Sequence, residues 1–254
     1  MTYNSFKILF VILTLAIAFL GWQGAISWLW IIGIILFGVA ILSYGSATLQ
    51  SNFFTPTFSK LKEPNELILT FDDGPHPNTL AILEVLKKHQ APATFFCIGK
   101  QAQQHPDILN KIISEGHIVG NHTQNHSNKW GWMRSKAVRF EVEEATKNLE
   151  SLSGKPIHFF RPPFGVTNPR IGKVLRTLPL KIIGWDLRSL DTAIKNPDKL
   201  WQRIKPKLNN SSIILFHDTQ EHTVEVLKKT LEYCQSHGIK IVSLADKIET
   251  RSHA

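Results

Sequence analysis

From residue 67 to residue 242 the chain alternates short apolar runs with longer amphipathic stretches, and that alternation limits its fold more than any single residue does. The apolar runs fall at 67–71, 94–98, 117–120, 157–161, 181–186, 212–217 and 239–242. Between them lie helical patterns with recognisable ends: 79–89, a helix opened by Pro106 and closed by Gly116, 135–152 closed by Gly154, 169–177 and 197–208 each opened by a proline, and 223–237 closed by Gly238. Proline suits the first helical position because its missing N–H has no partner there anyway, and glycine suits the position past the end because it accepts a left-handed cap. Strands separated by helices of this length pair in parallel through crossovers, which leaves an open doubly wound sheet or a barrel.

The polar residues decide between the two. Asp72 and Asp73 follow the first run, His122 and His126 the third, Arg161 closes the fourth, Asp186 and Asp191 follow the fifth, and His217 with Asp218 closes the sixth. In a barrel all of these lie on one rim, the C-terminal face where such folds build active sites, whereas an open sheet would spread them along an edge. Seven runs are one short of a regular eight-stranded barrel. The expected fold is therefore an α/β, distorted seven-stranded (β/α) barrel.

The chemistry starts at Thr70-Phe71-Asp72-Asp73-Gly74, where two adjacent carboxylates sit at a strand end. Like charges at contact raise one pKa unless a cation takes up one of them. His122 and His126 are four residues apart, which puts both imidazoles on one face if the segment turns helically. Two imidazoles and one carboxylate leave open positions on a divalent ion, the arrangement of a catalytic site, with Zn2+ the first candidate. Asp72 or Asp73 is then a ligand and the other a base. Arg161 ends a strand before Pro162-Pro163-Phe164-Gly165, so its planar fork can aim a carboxylate and the stiff backbone can aim the Phe164 N–H at a developing oxyanion. His217 ends the run Ile213-Ile214-Leu215-Phe216 and is a candidate general acid. Trp130 and Trp132, just past the histidines, suit stacking on sugar rings, contact with a lipid interface, or a small core beneath their loop.

Taken in order, the segments 70–74, 122–126, 161–165 and 215–217 resemble the successive motifs of the polysaccharide deacetylases (carbohydrate esterase family 4, the NodB homology domain), over about residues 67–243. The resemblance implies metal-dependent removal of an N-acyl group from an amino sugar. By position it implies that Asp73, His122 and His126 hold the metal and that Asp72 is the base. It further implies that Arg161 steadies Asp72, that the Phe164 amide serves the oxyanion, that His217 protonates the leaving amine with Asp191 tuning it, and that Leu215 lines the acyl pocket. One motif departs: where the family usually has Asp-x-x-Asp-Trp, this chain has Arg188, Asp191 and Thr192, so one acid and the groove-walling tryptophan are replaced. The substrates this admits are N-acylated glycans such as peptidoglycan, poly-N-acetylglucosamine or a chitin-like oligosaccharide; the alternative is deformylation or deacetylation of a lipid-linked amino sugar at the cytoplasmic membrane face. A membrane-held carbohydrate-binding protein with a dead site is the rival from another class.

Ahead of this domain, residues 8–20 and 28–42 carry no charge and read as two membrane spans, with Trp22, Trp28, Trp30 and Tyr44 at interfacial positions. Residues 1–50 are thus expected to form a membrane anchor, 51–64 a linker and 65–254 the catalytic domain. A cleaved signal peptide is the alternative for the first run, and the second would still anchor the chain. Lys7, Lys60 and Lys62 flank the spans on one side, against none in the connector, which hints that the domain's side is cytoplasmic; a cleaved or inverted first run would put it outside. The formal net charge of +9 comes from scattered residues without a run of five, which points away from a nucleic-acid arm and toward an anionic membrane or wall. Cys97 and Cys234 fall in apolar patterns and are expected as buried free thiols.

Overall fold

A computed structural model describes residues 2–210 and 212–252. The chain opens with two long helices, α1 (Tyr3–Trp22) and α2 (Leu29–Ala47), and then enters the barrel at β1 (Glu66–Asp72). There follow α3 (Thr79–Lys88), β2 (Ala93–Cys97), α4 (Gly99–Gln104), α5 (Pro106–Ser114), β3 (Ile118–Asn121), α6 (Ser135–Ser153) and β4 (Phe159–Phe160). The second half holds α7 (Pro169–Leu175), β5 (Lys181–Ile182), β6 (Leu187–Arg188), α8 (Pro197–Ile204), β7 (Ile213–His217), α9 (Glu221–Ser236), β8 (Lys240–Ile241) and α10 (Leu244–Ser252). The short α4 and the terminal α10 lie outside the helices expected from sequence.

Seven strands run in the order β5-β4-β3-β2-β1-β7-β6, every neighbouring pair parallel. β5 and β6 stand at opposite edges yet are separated in sequence only by residues 183–186. So short a connector spans at most ~18 Å when extended, so the sheet must curl until its edges almost meet. The distorted seven-stranded barrel is what the structure has, but its strands are not the seven expected. Residues 181–186 do not form one strand. Ile183 instead bridges to Phe58, whose N–H donates to the Ile182 carbonyl and whose carbonyl accepts from the Gly184 N–H, and the Asp186 carboxylate accepts hydrogen bonds from the Ser212 and Ile213 N–H groups. Residues 239–242 contribute β8, which pairs only with the start of β1 and lies off the main path.

Alternation along β1 sorts the core into two layers. Leu67, Leu69 and Phe71 pack outward with Phe95, Leu83 and Val226 beneath the surrounding helices, while Ile68 packs into the barrel with Phe96, Phe160 and Leu215. A period of two therefore points Thr70 and Asp72 into the barrel with Ile68. β7 obeys the same rule: Ile214 and Phe216 face the helices, and Ile213 and Leu215 face inward together with His217. Cys97 and Cys234 are buried and free.

α1 and α2 are each long and apolar enough to cross a membrane by length and composition. Among the described residues, all exposed large hydrophobic side chains except Leu80, Trp132, Phe140 and Phe164 lie within residues 8–44. The segment expected as a linker, 51–64, is packed rather than loose. Phe53, Phe54 and Leu61 are buried, Phe53 and Phe54 cluster with Phe6 of α1, and the Leu61 N–H donates to Ser212 Oγ at 2.7 Å. Three buried apolar side chains over so short a stretch override its polar, proline-containing composition.

Candidate active site

At the C-terminal end of β1 the inward-facing Asp72 meets Arg161, which is fully buried just past β4. Arg161 Nη1 donates to Asp72 Oδ1 and to Thr70 Oγ1, both at 2.8 Å. Its Nη2 donates to the Gly184 carbonyl at 2.7 Å, Nε to that of Ile183 at 3.2 Å, and the guanidinium lies 4.2 Å from the centre of the Phe96 ring. A buried cation costs stability unless all its donors are used, and here the fork is spent on a carboxylate, a hydroxyl and two carbonyls. The carbonyls belong to residues 183 and 184 between β5 and β6, so that connector helps to seat the arginine.

Asp73 leaves the strand with φ of 78°, turning its carboxylate away from Asp72 and toward the histidines. Its Oδ1 stands 3.5 Å from His122 Nε2 and 3.4 Å from His126 Nε2, buried and without a hydrogen-bond partner. Burial would raise the Asp73 pKa, but the imidazoles of His122, His217 and His126 override it and hold the carboxyl far below its usual range. His122 uses Nδ1 to hydrogen-bond the Arg161 carbonyl at 2.7 Å, which turns Nε2 to the site. Burial opposes a charge on His122, yet Asp72 and Asp73 lift its pKa above the ordinary value. His126 goes the other way, to about 4, through burial and the neighbouring His122 charge. The pocket thus demands one positive charge and offers two imidazole nitrogens and a carboxylate oxygen within 4.8 Å of one another. That donor set, together with the orphaned Asp73 Oδ1, fits a divalent cation.

The two histidines do not share a helical face as the spacing suggested. Residues 122–126 form an irregular loop in which Thr123 and His126 have positive φ. Glu141, buried on α6, holds it by accepting from the Asn125 N–H at 2.9 Å and from the Asn125 side-chain amide at 2.7 Å, while Asn121 Oδ1 accepts from the Thr123 N–H. Neither Glu141 nor Asn121 stood out in the sequence.

Across the site His217 Nε2 lies 4.0 Å from Asp73 Oδ2. Its Nδ1 and backbone N–H both engage Asp191, each at 2.7 Å, and Ser189 and Thr223 complete the carboxylate's partners at 2.9 Å. Burial alone would lower the His217 pKa, but the hydrogen bond and charge of Asp191, with Asp72 and Asp73 behind, lift it to about 9. Leu215 is buried two residues before His217 on the same face of β7. Phe164 adopts φ of 59° in the turn after Pro163, and its half-exposed ring lies 4.7 Å from that of His126.

The aromatic pair splits. Trp130 is buried, donates from Nε1 to the Val166 carbonyl at 2.9 Å and packs in the inner core, so it offers no face to a sugar. Trp132 is 83% exposed. Arg188 and Thr192 are exposed, with the Arg188 guanidinium 6.0 Å from the Trp185 ring.

Asp218, which the sequence places on the same rim but to which it gives no role, is set apart by its burial. It is buried beneath Gly74, accepts from Thr79 Oγ1 at 2.6 Å, and leaves Oδ1 without a partner. Burial, with the Asp73 charge adding to it, pushes its carboxyl up to about 7. A Cβ on Gly74 would overlap Asp218 Oδ2, so Gly74→Ala is expected to cost about 1–3 kcal/mol in thermal unfolding and to weaken metal affinity by shifting Asp73. Unchanged Tm and affinity would show the contact to be slack.

Residues 60–183 match the sequence profile of the polysaccharide deacetylases. A chitooligosaccharide deacetylase of Azorhizobium caulinodans is 35% identical over 156 residues, which are 61% of this chain and 74% of that protein. A crystal structure of a peptidoglycan N-acetylglucosamine deacetylase superposes with a TM-score of 0.70 at 29% identity, covering 75% of this chain and 91% of the other. A mutant of a carbohydrate esterase family 4 pseudoenzyme superposes equally well, at 0.70 and 26% identity over 76% and 70% of the two chains, so the fold by itself does not guarantee turnover. With motifs, sheet order and a relative matched over most of its length in agreement, the chain belongs to the polysaccharide deacetylase family, hydrolases of the C–N bond in N-acetylated amino sugars.

Proposed function

We propose that this protein removes an acetyl group from the amino sugars of a cell-envelope glycan, peptidoglycan or a related N-acetylglucosamine polymer, while anchored in the membrane by α1 and α2. The observation that carries this reading is a carboxylate and an imidazole, fit to be base and acid, that both stand beside one ligand triad. Asp72 Oδ2 is 3.7 Å from His122 Nε2, and His217 Nε2 is 4.0 Å from Asp73 Oδ2. Asp73, His122 and His126 would hold the cation, for which N and O donors make Zn2+ the first choice. When bound, it supplies a Lewis acid for the amide oxygen and lowers the pKa of nearby water.

The residues divide the remaining work. Asp72, held in one orientation by Arg161, accepts a proton from the attacking water as the C–O bond forms. The Phe164 N–H, set by its left-handed backbone, donates to the oxygen on which charge collects. His217 gives its Nε2 proton to the nitrogen as the C–N bond breaks, so amine and acetate leave with the water's atoms accounted for. Leu215, beneath His217, borders the space for the acetyl methyl.

Anchoring by α1 and α2 is supported by their length and by the concentration of exposed apolar side chains on them. The packed segment 51–61 then fixes the domain against the bilayer instead of letting it swing.

The test is to incubate the Zn2+-loaded full chain with chitotetraose and with isolated peptidoglycan and to follow acetate and free amine together. Equal release of both from at least one substrate is expected. Glycan binding without release would make the protein a carbohydrate-binding pseudoenzyme instead.

A further inference from the structure

Between α2 and the loop beyond Phe164 runs a groove of about 620 Å3, mostly apolar. Val39, Leu42 and Ser46 of α2 line it from one element, Trp132 and Val166 from the barrel loops, and the exposed Arg170 lies along it as well. The volume falls within the ~300–1,000 Å3 typical of small-molecule sites. The reaction above makes no use of it.

Three features say what belongs there. The first is the helix: α2 is of membrane-spanning length and composition, so a groove walled by its last turns opens where lipid begins. The second is the company of Trp132, 83% exposed, and Arg170, a tryptophan and a cation being the residue types that meet at a bilayer surface and bind phosphate there. The third is continuity with the reacting centre. The backbone from Phe164 to Thr167 touches both sites: the Phe164 ring lies against His126, Val166 lines the groove, and the Thr167 N–H donates to the Ser46 carbonyl at 3.2 Å. Gln50, just after α2, donates to the Trp185 carbonyl at 2.6 Å, so the helix end cannot drift from the barrel.

We propose that the groove receives the hydrocarbon chain of an amphiphilic substrate, an N-acetylated amino sugar carried on a membrane lipid through a phosphate. The chain lies against Val39, Leu42 and Val166, the phosphate meets Arg170, and the sugar reaches the triad. This rests on the deacetylase chemistry proposed above and puts a lipid-carried sugar in place of the polymer as the substrate that the groove selects. A glycan polymer remote from the membrane has no use for an apolar groove at the membrane face; a lipid-carried sugar reaches site and groove together.

The experiment uses the full chain in phosphatidylcholine nanodiscs with two substrates, N-acetylglucosamine on a polyprenyl phosphate and soluble chitotetraose. Ser43→Trp fills the groove from α2, and kcat/KM for the lipid-linked sugar is expected to fall about tenfold while that for chitotetraose stays within about twofold. Arg170→Gln, an exposed change that tests the same site without touching its packing, is expected to raise KM for the lipid-linked sugar alone. In metal-free protein, a diazirine placed on the polyprenyl chain should label residues of α2 and the segment 166–170 that leads into α7, and unlabelled polyprenyl-phosphate sugar should displace it. Equal losses on both substrates, or displacement by phosphatidylcholine just as well, overturns the proposal. If the unaltered chain releases acetate from neither substrate, the deacetylase reading fails, and the labelling still decides whether the groove takes the lipid.

Discussion

Replacing Asp72 with asparagine is expected to leave the protein folded and able to take up its cation while lowering turnover by about 10³-fold, within the range that general-base catalysis supplies. Asparagine has the same shape, and its carbonyl oxygen can still accept the 2.8 Å hydrogen bond from Arg161 Nη1. What it lacks is a site for the water's proton. Arg161 would lose its counter-charge but keep Thr70, Ile183 and Gly184, so a stability loss of about 1–3 kcal/mol is expected, less than deleting an acceptor outright. Asp73→Ala should do the opposite: it removes the triad's only carboxylate, and metal content and activity should disappear together, as chelation of the unaltered protein should also make them do. Metal content, Tm and single-turnover rates on the two variants separate base from ligand. Turnover near the unaltered rate in Asp72→Asn would end the assignment of Asp72 as base.

How far the sequence alone carries this site can be seen residue by residue. Asp72, Asp73, His122, His126, Arg161 and His217 are all legible because each ends an apolar run or lies within six residues of its end, and parallel strands in a curled sheet bring such positions to one rim. Local pattern also gives the inward direction of Asp72, through the alternation of Ile68, Thr70 and Asp72 with Leu67, Leu69 and Phe71. It cannot show which apolar run is broken by a tertiary demand. Residues 181–186 look like one strand, and only the Arg161 guanidinium, some 20 positions earlier, explains why the carbonyls of Ile183 and Gly184 turn inward. The same limit hid Glu141, which shapes the histidine loop from another helix, and left Trp130 undecided between sugar and core until Val166 supplied the acceptor for its indole. Phe53 and Phe54 read as linker because their partners, Phe6 and Tyr3, lie beyond the whole α1–α2 hairpin.

Asp191→Asn is expected to move the alkaline limb of the pH–rate profile toward neutrality and to lower kcat at pH 8 by about 30-fold or more. In the proposed reaction His217 carries the proton that expels the amine, and its pKa of about 9 keeps it charged through neutral pH. Burial pulls that value down; the largest opposing contribution is Asp191, through the 2.7 Å bond to Nδ1 and its charge, with Asp72 and Asp73 adding less. A cation held by Asp73 offsets one of the lesser contributions and leaves that of Asp191 in place. Without the Asp191 charge, burial dominates, and His217 falls back toward or below the ordinary ~6.5. The sign for stability follows from the same shift. A histidine whose folded pKa lies above its unfolded value stabilises fully below ~6.5 and loses that contribution as pH rises through about 9. The Tm gap between the unaltered protein and Asp191→Asn should therefore be widest near pH 6 and narrow above pH 9. A merely structural Asp191 would lower Tm equally at both pH values and leave the alkaline limb where it was, because lost packing does not titrate.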